Sequence, residues 1–336
     1  MLNRLLILSV LCITGFHNFC YGQADSLMHK PFWGPSSKYR TKTGVNFYVG
    51  YLNDFGSNPA VTAYYGKYNL SVNRQYSFIG NYYLSDEYNL RANFKLKKYG
   101  GFSLRYQDKT LGWYDRKTTA LAYNYSVNSK MIGLFSFAFE ACALRRFFDR
   151  SAMNLSPGGY ASSAIMVPDF NAGFIYSKRN FIAEGLCSHL LEPNISFYKT
   201  PGNASNLQRN YFARLSYVIT GGGRAFMPIA IVPGVSWSRV ENHTKILSGL
   251  CTVDYDLFAV TVEVSSDKSW ETRLTFMNKL NKYRKSHIYN QLRLNMSYRK
   301  YVSLSNDYGT QVGEFRFGLN YNFGKWDAQP RHIDRF

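Results

Sequence analysis

Ser188-His189 sets a hydroxyl beside an imidazole, the two groups that a nucleophile–base pair requires. The stretch around them, "FIAEGLCSHLLEP" (181–193), begins as a strand. Neighbours on a strand point to opposite faces, so these two side chains cannot act on each other. A lipid-modifying site would need a Ser/His/acid cluster completed from elsewhere in the chain. "GGGR" (221–224) lacks the Lys-Ser/Thr of a phosphate loop and reads as a turn. Of five cysteines, Cys12 and Cys20 lie in a leader-like start. Cys142, Cys187 and Cys251 are isolated, without ligand spacing or a pairing scheme, and read as small membrane-embedded strand residues. No catalytic residue, cofactor site or metal site is expected.

The elements that carry these residues are more informative. In "FRFGLNYNFG" (315–324), Phe315, Phe317, Leu319, Tyr321 and Phe323 share one parity, and Arg316, Gly318, Asn320 and Asn322 the other. A strand with this pattern has one apolar, aromatic face and one polar face. "EYNLRANFKLKK" (87–98), "TALAYNYSV" (119–127) and "LRLNMSYRK" (292–300) repeat the device, with Arg, Lys and Asn opposite bare Leu, Tyr and Phe. A soluble sandwich also alternates, but seldom sets basic residues against exposed aromatics in so many strands.

Export narrows the choice. Arg4, the apolar run from Leu5 to about Phe19 and the small Gly22 have the layout of a secretory signal peptide, cut before Gln23. A lipoprotein reading would lipidate Cys20, against which the bulky His17-Asn18-Phe19 stands. Aromatics make up 17% of the 336 residues, with 28 Tyr and 25 Phe, while mean hydropathy stays on the polar side. After the start, no run approaches the roughly 18 apolar residues of a spanning helix. "MIGLFSFAF" (131–139) is stopped by Glu140, and "FMPIAIVPGVSW" (226–237) is broken by Pro228 and Pro233. Lipid-facing and lumen-facing residues that alternate and cancel in the average are the mark of a transmembrane β-barrel.

The expected fold is therefore all-β: a transmembrane antiparallel β-barrel of about 14 strands, preceded by a cleaved signal peptide. The expected organisation is 1–22 signal peptide, 23–57 periplasmic N-terminal segment, 58–324 barrel and 325–336 short periplasmic tail. Tight joints at "KKYG", "NSKM" and "SKRN" alternate with four long connections. These are "YSFIGNYYLSDE", "DKTLGWYDRK", the region of "RSAMNLSPGGYASSAIMV", and "LLEPNISFYKTPGNASNLQ". Short periplasmic turns and long surface loops give that rhythm. The last strand's Gly318, Tyr321 and Phe323 resemble the terminal signal read by the barrel assembly machinery. Forty basic against 21 acidic residues would suggest nucleic acid in a cytoplasmic protein; in an exported barrel they suggest a basic lumen, partly paired by Glu184 and Glu314, and no nucleic-acid partner. A second reading is a basic periplasmic rim that meets an acidic protein.

Two stretches carry a family resemblance. "SNPAVTAYYGKYNLSVNRQYSF" (57–78) leads through Asn58-Pro59-Ala60 into the first strand. "DFNAGFIYSKRNFIAEGLCSHLLEPNISFY" (169–198) is strand, tight turn, strand, then His189, Glu192-Pro193-Asn194 and Ser196-Phe197-Tyr198. Together they resemble the PorP/SprF family of outer-membrane proteins of the type IX secretion system, collinearly from about residue 50 to 325. Val61-Thr62-Ala63 departs from the family's small Ala-Gly pair. The resemblance implies a non-enzymatic barrel in outer-membrane lipid, without cofactors. Its implied partners are type IX components and surface proteins with a C-terminal sorting domain, including gliding adhesins.

The connection after His189 reads in two ways. Its rigid Pro193 with His189, Glu192, Asn194, Ser196, Phe197 and Tyr198 suits the holding of a protein partner at the surface; the same loop could instead fold inward and plug the barrel. Asn58-Pro59-Ala60 reads as structural, turning the chain into the barrel. A diffusion porin with an anion-preferring lumen is the alternative function.

Overall fold

The computed structural model describes residues 58–64, 68–80, 82–96, 100–111, 114–129, 133–148, 163–178, 180–195, 206–220, 229–239, 245–255, 258–279, 291–302 and 312–323. The segments expected as signal peptide, periplasmic lead and tail lie outside these residues, apart from Asn58 onward. Where the strand pattern was read, strands form: β1 (Tyr68–Ile79), β2 (Tyr82–Leu96), β3 (Gly100–Leu111), β4 (Tyr114–Ser129), β5 (Gly133–Phe148), β6 (Ser163–Lys178) and β7 (Phe181–Ser188). Then come β8 (Asn210–Tyr217), β9 (Ile219–Thr220), β10 (Ile229–Arg239), β11 (Lys245–Tyr255), β12 (Phe258–Ser265), β13 (Ser269–Lys279), β14 (Gln291–Tyr301) and β15 (Val312–Phe323). β8 and β9 are two parts of one strand on either side of Val218; both pair with β10. Every pairing is antiparallel, and β1 bonds to both β2 and β15. β10 bonds in turn to β11. The sheet has no free edge: it is a closed barrel of fourteen strands.

The barrel is apolar outside and polar inside. On β15 Leu319 is 44% exposed, whereas Asn322, at the opposite parity, is 1% exposed. The aromatic face of 315–323 thus points outward, toward lipid. Leu70, Leu90, Leu104, Leu121, Phe139 and Leu294 share that exterior; Asn69, Arg91, Arg105, Asn124, Glu140 and Arg293 are buried in the lumen. Outside, rings of adjacent strands meet, with Tyr68 stacked on Phe323 at 5.1 Å and Tyr298 tilted against Phe315 at 4.8 Å between ring centres. Such contacts add to strand pairing.

The wall is uneven in height. β2, β4, β5 and β6 run for 15 or 16 residues, whereas β7, β8 and β12 have 8. A tilted strand needs about 9–11 residues to cross the hydrocarbon, so the long strands stand above it. This corrects two of the four connections expected to be long. β1 ends at Ile79 and β2 begins at Tyr82; β3 ends at Leu111 and β4 begins at Tyr114. The residues read as loop there are paired strand, for example Asp108 opposite Lys117. Beyond the bilayer neither face meets lipid, so the alternation fades although the hydrogen-bond ladder continues. Cys142 also departs from expectation: it faces the lumen, where its thiol accepts from Asn171 Nδ2 at 3.2 Å.

Candidate functional site

Two segments fold into the barrel, one from each end. The first is the Asn58-Pro59-Ala60 element, which lies inside the lumen near the end carrying the tight turns. Pro59–Tyr64 form a 3₁₀ helix, for which proline's fixed φ and missing N–H suit the first position. Asn58 caps it: its Oδ1 accepts from Ala60 N at 3.0 Å, and its Nδ2 donates to the carbonyls of Phe174 (3.2 Å) and Gly185 (3.3 Å). The carbonyl of Ala60 accepts from Asn124 Nδ2 and Ser136 Oγ, and Thr62 Oγ1 donates to Asn93 Oδ1. Five strands, β2, β3, β4, β5 and β6, pack against the helix. Ala60 and Val61 complete a small apolar core with Leu134, Ile175, Ile182 and Val218. The close fit has a local cause at Gly173, where an added Cβ would lie 2.2 Å from Asn58 Oδ1.

The second segment follows β7 at the other end. His189 has φ 60° and Glu192 φ 48°, left-handed conformations that turn the chain sharply off the strand. Asp169 of β6 secures the turn: its Oδ2 lies 2.5 Å from His189 Nδ1 and its Oδ1 accepts from Leu191 N. Pro193 O accepts from Leu207 N at 3.1 Å, and Asn194 forms an isolated bridge with Asn206. Ile195 and Leu207 then bury against Leu144 on the lumenal face of β5, and Arg146 donates to Ile195 O. Up to Ile195 the connection therefore turns inward. Glu192 remains at the rim, 45% exposed like its ion-pair partner Arg209 at 3.4 Å. A cleft of about 400 Å³ opens there, lined by Glu192, Asn206, Gln208, Arg209, Tyr211 and Arg239 among others. Ser196, Phe197 and Tyr198 lie outside the described residues.

Between the two segments sits Glu140, fully buried in the middle of the largely apolar stretch 137–144 of β5. Arg105 binds it through two nitrogens, Nη2 at 2.6 Å and Nε at 3.2 Å; Asn171 Nδ2 donates at 2.7 Å. Arg91 lies 3.7 Å away and donates from its other nitrogen to the carbonyl of Asn58. Asn171 Oδ1 accepts from the backbone N of His189 at 3.0 Å. One polar chain thus runs from Asn58 through Arg91, Glu140 and Asn171 to His189. A buried carboxylate with this many donors is held in place, since losing one partner would strand the others. Farther round the barrel Glu184 of β7 pairs with Arg214 of β8, Glu271 with Arg273 and Arg299, and Glu314 with Arg316.

His189 thus meets an acid and not Ser188, and no hydroxyl or thiol is found hydrogen-bonded to its ring among the described residues. No group of three metal-ligating side chains is present among them either. Gly318 lies on the lumenal face of β15, while Tyr321 and Phe323 stack on each other at 5.3 Å on the outer face. Asp169, Asn171, Glu140, Arg91 and Arg105 were not singled out from sequence. A signal for Glu140 existed, because an acid amid "GLFSFAFEACAL" makes sense only where a counter-charge waits inside the lumen, here on β3 and β2 of the same wall.

A family model described as "Type IX secretion system membrane protein PorP/SprF" matches residues 40–250, well over half of the chain. The chain belongs to the PorP/SprF family. The matched span takes in both inward segments and the Glu140 cluster, and identifies the barrel as an outer-membrane component of type IX secretion. No curated protein matches the chain. Among solved structures the barrel is similar to a Pseudomonas aeruginosa FadL homologue, with 12% identity, 80% of this chain and 93% of that chain covered and a TM-score of 0.43. It is similar also to the Acinetobacter baumannii outer membrane protein Omp33 (9% identity, 76% and 98% covered, TM-score 0.41). A third is the CymD monoaromatic hydrocarbon channel (9% identity, 81% and 92% covered, TM-score 0.44). Superpositions this loose transfer nothing about ligands.

Proposed function

We propose that this PorP/SprF barrel is a non-enzymatic partner-holding component, assisting export or surface retention of proteins that carry a C-terminal sorting domain. The observation that carries the reading is the form of the 189–195 segment. It is pinned by Asp169 at its base and by Leu144 at its turn inward, yet it leaves Glu192 exposed beside the Arg209–Arg239 cleft. A pre-formed ledge of this kind loses little conformational freedom when a partner binds. His189 serves the ledge as its anchor, and Glu192, Pro193 and Asn194 form its outer surface; Ser196, Phe197 and Tyr198 are proposed to take part in holding the partner. The helix at 59–64 and the terminal strand's Gly318, Tyr321 and Phe323 serve the barrel itself, the latter as the assembly signal. Residues 1–22 act as the signal peptide, 23–57 as a periplasmic lead and 325–336 as a periplasmic tail.

The porin alternative draws less support, because the 59–64 helix and the ion-paired arginines occupy space that a diffusion path needs. The test is affinity purification of the tagged protein from its native outer membrane, followed by mass spectrometry. Type IX components or a sorting-domain protein are expected, with recovery reduced in the Glu192→Ala, Asn194→Ala, Phe197→Ala variant. A barrel recovered alone that conducts ions in a planar bilayer would establish the porin instead.

A further inference from the structure

The lumenal faces of β13, β14 and β15 form rows across the sheet. Thr275 stands opposite Asn295, and Asn295 opposite Gly318. The row above holds Arg273, Ser297 and Arg316; the row below pairs Arg293 with Asn320. Rows on one face of a strand lie about 7 Å apart, within reach of an arginine side chain. Glu271 and Glu314, the carboxylates described on these three lumenal faces, lie one row farther up, opposite Arg299. An uncharged row is therefore bracketed by guanidinium groups above and below.

That row is buried and its polar atoms are unused. Asn295 is 1% exposed, and neither its Oδ1 nor its Nδ2 has a hydrogen-bond partner. Thr275 Oγ1 and Ser297 Oγ are buried and unpartnered as well. A buried amide left in that state costs about 1–3 kcal/mol, which a native fold recovers by placing something there. Gly318, directly opposite Asn295, contributes no side chain to the row.

We infer that the Thr275–Asn295–Gly318 niche binds a small inorganic anion of chloride size, held by Asn295 Nδ2, Thr275 Oγ1 and Ser297 Oγ in the positive field of Arg273, Arg293 and Arg316. The ligand is an anion because three guanidinium groups and no described carboxylate flank the row: Arg273 and Arg316 share their charge with Glu271 and Glu314 one row up, and Arg293 adds a third guanidinium below. A monatomic anion needs no more than the few donors that Asn295, Thr275 and Ser297 leave unused. The site tightens the β13–β15 wall from within and is independent of the surface ledge.

The test uses the full-length protein in detergent, with its unfolding followed by the loss of fast electrophoretic mobility. At equal ionic strength, chloride or bromide at tenfold its Kd raises Tm by about 4 °C over gluconate. The shift vanishes in Asn295→Leu and, should that variant not fold, in the milder Thr275→Val. Crystals grown in bromide then show an anomalous peak within about 3.5 Å of Asn295 Nδ2. Equal Tm in both salts, or bromide-grown crystals with an ordered water and no anomalous signal at Asn295, would overturn the proposal.

Discussion

The two inward segments differ in how they are held. The 59–64 helix is buried at 59–62, capped by neutral amides and seated against five strands. The 189–195 segment leans on one acid–imidazole contact, two left-handed residues and a small apolar patch, and it keeps Glu192 half exposed. The first has the physics of a core and the second that of a surface element held ready. Glu140 joins them, so the contrast is between two ends of one polar chain. Stability is expected to reside in the first segment and partner recognition in the second.

The sharpest way to break this contrast is Gly173→Ala. A methyl group 2.2 Å from Asn58 Oδ1 forces the helix off its seat; we expect a loss of about 3 kcal/mol or more, read as a fall in Tm. Asn58→Ala comes next. It leaves the Phe174 and Gly185 carbonyls without their donor and costs about 2 kcal/mol, again on the whole barrel. At the mouth, Asp169→Ala frees His189 and Leu191 N. Hydrogen exchange should accelerate across 189–195 by about tenfold, with Tm nearly unchanged, because the cost is local and about 1.4 kcal/mol. The smallest stability effect belongs to Glu192→Ala. An exposed ion pair contributes about 0–1 kcal/mol, so melting stays the same while partner recovery falls. Equal global destabilisation by the Asp169 and Asn58 variants would erase the distinction.

Much of the barrel was legible because lipid enforces a period of two. Wherever one face meets hydrocarbon, as at Leu90 to Leu96 or Phe315 to Phe323, the sequence must alternate, and strand existence follows. Strand ends were harder to read. At 108–110 and 115–117 polar residues occupy both faces, since the strands there have left the bilayer. The 59–64 helix was invisible as a helix because six residues carry no periodicity, and its structure depends on donors from distant strands. The link between His189 and Asp169 was closer to the surface of the text. The tight joint at "SKRN" sets Ala172 opposite Cys187, which extrapolates to position 189 beside Phe170, one step from Asp169. What the linear sequence lacks is the pairing register through β2, β3, β4 and β5, which sets Arg91 opposite Arg105 and, through Ala120 and Cys142, brings both within one row of Glu140.

Site-specific photo-crosslinking in native outer membranes tests the central claim most directly, with the crosslinker placed at Asn194 in one strain and at Val61 in another. The account predicts an adduct with a sorting-domain protein or a type IX component from position 194 and none from position 61. Adducts from Val61, or an uncrosslinked barrel from Asn194 in cells actively exporting cargo, would contradict it.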